Sequence, residues 1–206
     1  MSSAYGRIVT GANVRHNVTA TLQTFFPSYL AEIAEASGRT RDALPAPESW
    51  HMSDLVDNWA GEQLPALVVV SPGFLGSPTI QSKSLNAVFD IRVGFVVASH
   101  DRETTRELAE LYAAAGRACM MQHQSLPYLS EGVLQRGISS GIDLLDESYD
   151  DAPTEDSRTL GAATVTLGVH VDGIVDIRSG LQEPDVDPDP LVDITATYIH
   201  TRKKPL

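Results

Sequence analysis

Hydrophobic residues recur along this chain with two different periods. From Gly11 to Ala36 the apolar positions Val14, Val18, Leu22, Phe25, Tyr29 and Ile33 return every three or four residues. That spacing draws one stripe down a helix, and Phe26 and Leu30 widen it. Pro27 falls inside the pattern and removes a backbone donor, so a kink or break is expected near Gln23 to Phe26. Gly38 is a suitable stop. From Ala87 to Ser99 the period drops to two. Phe89, Ile91, Val93, Phe95 and Val97 share one face of an extended chain, and Asp90, Arg92 and Gly94 share the other. This long half-buried strand runs into H-D-R-E-T-T-R-E-L, where Asp101 is placed to cap a second helix and Glu103 sits in its first turn. A long strand feeding a helix that must fold back on it is the kernel of a small α/β sandwich.

The second helix carries Leu108, Leu111, Tyr112, Ala115 and Cys119 along one face, and its alanines with Gly116 make it slim enough to lie close on a sheet. Pro127 ends any continuation. Val133 to Tyr149 reads as another extended stretch, bent at Gly137 and Gly141. After the acidic D-D-A-P-T-E-D, Arg158 to Val171 alternates again. Ala163, Val165, Leu167, Val169 and Val171 point one way, and Thr164, Thr166, Gly168 and His170 the other. Two long strands joined by a polar turn predict an antiparallel hairpin.

Between the first helix and the long strand the pattern is less regular. Pro45 and Pro47 mark a loop. Trp50, Met52, Leu55, Val56 and Trp59 fit a short amphipathic helix or an arm. Two tryptophans in a polar stretch either cap the core or dock on a neighbouring subunit, where tryptophan is enriched. A-L-V-V-V after Pro65 has the length and β-branching of a buried strand. S-P-G-F-L-G-S-P then reads as a loop. At the far end, L-Q-E-P-D-V-D-P-D-P is too polar to fold alone. It leads to the strand-like I-T-A-T-Y-I and the basic T-R-K-K-P-L. Such an extension either adds a strand to a neighbouring copy or stays a loose tail.

Bulk properties narrow the picture. The 206 residues, 42% hydrophobic and 20% charged, suit one domain with appendages. The opening residues lack a signal-peptide core, and no apolar run reaches membrane-spanning length, so a cytosol-like compartment and no membrane are expected. A net charge of -12 argues against the chain wrapping nucleic acid, though an acidic surface would let DNA slide past without sticking. Cys119 is the only cysteine, which removes an intramolecular disulfide and a cysteine-based zinc site.

A search for chemistry finds little. The loop at Ser71 to Pro78 lacks the G-K-S/T of a phosphate-binding loop, and G-x-S-x-G is absent. His16, His51, His100, His123, His170 and His200 form no metal-ligand spacing. Asp185, Asp187 and Asp189 begin like a calcium loop, but Pro190 stands where glycine is required and the distal glutamate is missing. No catalytic residue, metal or cofactor is expected. A scattered catalytic triad leaves no sequence trace, so a small hydrolase or transferase stays open as an alternative, as does a regulatory binding module.

The order of elements resembles the tail terminator proteins of long-tailed bacteriophages. The stretches that carry the likeness are L-P-A-L-V-V-V-S-P-G (Leu64 to Gly73), the strand Ala87 to Ser99 with D-R-E-T-T-R-E-L-A-E-L-Y (Asp101 to Tyr112), and R-T-L-G-A-A-T-V-T-L-G-V-H-V (Arg158 to Val171). The resemblance covers roughly Asn13 to Val175, and the acidic tail after Gly180 lies outside the pattern. The resemblance implies an α+β fold: a mixed, largely antiparallel β-sheet with two main helices packed on it. One domain over 1–180, with an arm at 39–63, precedes an extended tail at 181–206. It implies a structural virion protein, assembled in the host cytoplasm. Such a protein forms a hexameric ring at the head-proximal end of the tail, ends tube growth and joins tail to head. Its partners would be other copies of itself, the tail tube protein, the head-side connector protein and genomic DNA passing through the lumen. Another neck component, a head-closure or tail-completion protein, is the alternative. Trp50, Trp59, Ile194, Tyr198 and Ile199 are the candidate interface residues. Asp146, Glu147, Asp150 and Asp151 are the candidate lumen charges.

Overall fold

The computed structural model describes residues 8–52, 63–81, 84–153 and 159–176. The elements in chain order are α1 (Gly11–Ala36), β1 (Ser49–His51), β2 (Ala66–Phe74), β3 (Thr79–Gln81), β4 (Ser84–Ser99), α2 (Arg102–Gln122), β5 (Tyr128–Ser130), β6 (Val133–Gln135), β7 (Gly141–Pro153) and β8 (Thr159–Asp176). One mixed sheet runs β1-β2-β4-β8-β7, with β3 paired to one end of β4. Among the described strands only the β1–β2 pair is parallel. Both helices lie on the same side of this sheet, and β5 and β6 form a separate hairpin. The fold is α+β, a largely antiparallel sheet with two main helices.

α1 begins with a reciprocal cap. The Thr10 hydroxyl accepts from the Asn13 backbone, and the Asn13 side chain accepts from the Thr10 backbone N–H at 2.9 Å. At the other end Gly38 takes φ +75°, which lets Arg39 N–H reach Ala34 O at 2.9 Å and Gly38 N–H reach Glu35 O at 3.0 Å. These two bonds close the helix and satisfy its last carbonyls. Pro27 does not break it: α1 is continuous through that position. Pro27 and Gln23 are both exposed, so water can take the place of the missing donor. The buried stripe is Val14, Val18, Leu22, Phe26, Leu30 and Ala34, with Phe25, Tyr29 and Ile33 half-buried along its margin. The stripe therefore centres one residue beyond the Phe25–Tyr29–Ile33 row.

The strand-to-helix kernel folds as its pattern requires. On β4 Phe89, Ile91, Val93, Phe95 and Val97 are buried, and on β8 Ala163, Val165, Leu167, Val169 and Val171 join them. Asp101 caps α2 through Thr104 N–H at 2.8 Å. That bond to the backbone is the main reason its carboxyl stays below the usual aspartate range. α2 packs against β4, β8 and β7, and α1 against β2. Arg39, just past the end of α1, pairs with Glu107 near the start of α2, while Tyr29 meets Gln122 at its end, so the two helices run antiparallel. Phe26 packs against both Phe95 and Tyr112, joining α1, β4 and α2. Gly116 makes this approach possible: a Cβ there would lie 2.2 Å from the Phe95 ring.

Two further sequence expectations are corrected. S-P-G-F is not loop: β2 continues through Phe74, with an irregularity in register between Val70 and Gly73. Pro72 falls inside that irregularity, where no ladder donor is required. Val133 to Tyr149 is not one stretch. It divides into β6, which turns back on β5 through Glu131 and Gly132 at positive φ, and β7, which starts at Gly141. The β7–β8 pair is antiparallel as expected.

Candidate assembly surfaces

Helices cover one face of the sheet, and no described helix covers the other. Strand alternation decides what the open face carries. β2 contributes Val68 and Val70, β4 contributes Asp90, Arg92 and Gly94, β8 contributes Thr164, Thr166, Gly168 and His170, and β7 contributes Asp143, Asp146, Ser148 and Asp150. Its middle is a shallow basin of about 590 Å3 floored by small residues, among them Gly94, Thr164 and Thr166. Among the described residues, the basic side chains Arg92 and His170 of this face each meet a carboxylate. Arg92 donates to Asp90 Oδ2 at 3.1 Å, and His170 Nε2 lies 2.7 Å from Asp143 Oδ2. Asp90 Oδ1 is buried with no hydrogen-bond partner among the described residues.

The candidate lumen charges separate between the two faces. Asp146 and Asp150 are exposed on the open face, at register positions opposite Thr166 and Ala162. Glu147 points the other way, toward α2. It accepts from Arg117 and from the Tyr149 hydroxyl, and its side chain is 14% exposed. Burial, followed by the hydrogen bond to this carboxylate, pushes the Tyr149 hydroxyl up to about 12. Asp151 stands opposite Gly161 in the ladder. Of the candidate interface residues, Trp50 is half-buried in β1 and packs on the core. Trp59, Ile194, Tyr198 and Ile199 lie outside the described residues.

The structure adds three apolar surface sites that periodicity did not pick out. One end of the sheet exposes Ile8, Phe74, Leu75 and Ile80. The β5–β6 hairpin exposes Leu129, Val133 and Leu134 while Leu129 N–H holds it to the Thr24 hydroxyl of α1. β7 exposes Leu144 and Leu145 beside the register shift that ends at Asp146. The Leu144–Leu145 doublet was a readable signal, because two adjacent leucines cannot both face inward in a strand without a bulge.

Cys119 and His123 are held in the fold. Cys119 is fully buried, and burial pushes its thiol up to about 12. His123 stacks on Phe25 at 3.9 Å, and burial lowers its affinity for a proton. Among the described residues no group of three His, Cys, Asp or Glu gathers to hold a metal ion, and no helix is long and apolar enough to cross a membrane.

No protein-family model and no curated protein matches this chain. Among solved structures it is similar to a chain of the virion of a native gene transfer agent particle. The identity is 14%, the match covers 75% of this chain and 98% of that one, and the TM-score is 0.38. The likeness is a loose one.

Proposed function

We propose that this chain is the repeating subunit of a ring that caps the head-proximal end of a phage-like tail, a tail terminator that stops tube growth and joins the tail to the head-side connector. One observation carries the reading: a single chain bears unlike apolar patches, at the sheet end and on the β5–β6 hairpin. A ring closes only when two different patches meet around an axis, and exposed aliphatic clusters mark such contacts. In this reading the open sheet face lines the lumen. Asp143, Asp146 and Asp150 are exposed there, and fixed carboxylates keep passing DNA phosphates from sticking.

Native mass spectrometry and negative-stain imaging of the full chain, alone and with the tail tube protein of the same particle, test the proposal. A closed six-fold annulus is expected in at least the second sample. A chain that stays monomeric in both, or that stops at a two-fold dimer, overturns it.

A further inference from the structure

The sheet ends in an apolar row. Ile80 faces Leu85 across β3 and β4, Leu85 faces Val175 across β4 and β8, and Val175 bridges to Ile8. Residues directly opposite in a ladder share a face, so the four side chains line up across the sheet. Leu85 and Val175 reach the core, whereas Ile80 is 73% and Ile8 57% exposed. Phe74, against Phe89, adds a half-exposed ring to the same end. Among the described strands β3 pairs with β4 alone, which leaves its other edge with backbone donors and acceptors to satisfy.

The chain itself supplies a segment that fits. Asp176 pairs with Ser84 at this same end, and residues 177–206 follow it. Within them Val192, Ile194, Ala196 and Tyr198 alternate with Asp193, Thr195, Thr197 and Ile199, the pattern of a strand with one apolar side. Between lie Pro184, Pro188 and Pro190 interleaved with Glu183, Asp185, Asp187 and Asp189. At about 3.1 Å per residue, a linker of the length of 177–190 can span up to about 40 Å. That is on the order of the width of a domain this size. The edge of β3, by contrast, is only two strand spacings from β8, about 10 Å. The connection suits a neighbour better than its own sheet.

We infer that residues 191–199 of a second copy lie across this apolar end, adding a strand to the free edge of β3 and covering Ile80 and Phe74. Arg202, Lys203 and Lys204 follow that strand and arrive at a body whose chain carries a net charge of -12, which favours the encounter. The inference rests on the ring reading for its second copy.

Cross-linking of full-length chains tests it. Ile80→Cys and Tyr198→Cys are placed on separately tagged chains, co-expressed, and treated with a short bis-maleimide; Cys119 is buried and silent. A covalent dimer carrying both tags is expected, well above the dimer from either variant alone. Ile80→Asp, at an exposed position the fold tolerates, is expected to lose the assembly while keeping its circular dichroism. No mixed dimer from chains that still form a closed ring overturns this inference and leaves the ring standing. A mixed dimer without ring closure supports the docking and overturns the ring. A double variant that links to itself within one dilute chain places the segment on its own sheet and overturns the exchange.

Discussion

β7 and β8 are neighbours in one ladder, yet they are built for different surroundings. Leu144 and Leu167 are opposite each other in register, but Leu167 is 0% exposed and Leu144 is 42% exposed. β8 lies inside the sheet, flanked by β4 and β7 with α2 beneath it. From Thr159 to Val171 it carries no acid. β7 is the sheet's edge and holds Asp143, Asp146, Glu147, Asp150 and Asp151 within one strand. Charges and a bulge on an edge oppose stray strand addition, and two such edges repel each other. An isologous β7–β7 dimer is thereby disfavoured. That leaves assembly to the uncharged parts of the surface, where the apolar sheet end lies.

The largest expected effect comes from breaking the interior side of this pair. Leu167→Ala should cost about 2–5 kcal/mol, read as a lower urea midpoint at unchanged slope. Next comes the tie that holds the edge strand to α2. Arg117→Ala leaves the Glu147 carboxylate with the Tyr149 hydroxyl alone and should cost about 1–2 kcal/mol, with Arg117→Lys restoring part of it. Tyr149→Phe should cost about 1 kcal/mol near neutral pH by removing that second bond. It should also change the alkaline limb. The Tyr149 hydroxyl is raised from 10.0 to about 12 in the fold, so the folded state holds the proton more tightly. Its stabilisation is complete below pH 10 and is lost as pH rises toward 12. Denaturant melts across that window should fall less steeply in the Phe variant. Leu144→Ala, the exposed counterpart of Leu167, should stay within about 0.5 kcal/mol for the isolated chain. A Leu144 loss as large as that at Leu167 would mean that β7 is covered in solution and would erase the distinction between the two strands.

Much of the fold could be read directly from the residues. β4, β8, α2 and the extent of α1 follow from periodicities sustained over many residues, and Asp101 and Gly38 mark ends by their own chemistry. Short elements were harder. β1 and β3 are three residues each, and β5 and β6 the same, too short for a period to show. Val133 to Tyr149 reads as one stretch because Gly137, between β6 and β7, can equally mark a bulge within a single strand. The extension of β2 through Pro72 depends on the register shift that accommodates it, which local sequence does not record. The site was less legible still. Acidity pointed to β7, but the sequence did not separate Asp146 and Asp150, on the open face, from Glu147, which α2 claims through Arg117.

The sequence alone determined which residues of β4 and β8 turn inward, because a side chain's face follows from the period of its own backbone and from the exclusion of apolar surface from water. It also determined the acidic balance and the cap residues. Only the tertiary structure decided which strands became edges and which face of the sheet stayed open. It alone placed Ile80, Leu85, Val175 and Ile8 in one row. Those features arise from pairings between residues far apart in the chain, and a contact of that kind leaves no mark on the spacing within either partner.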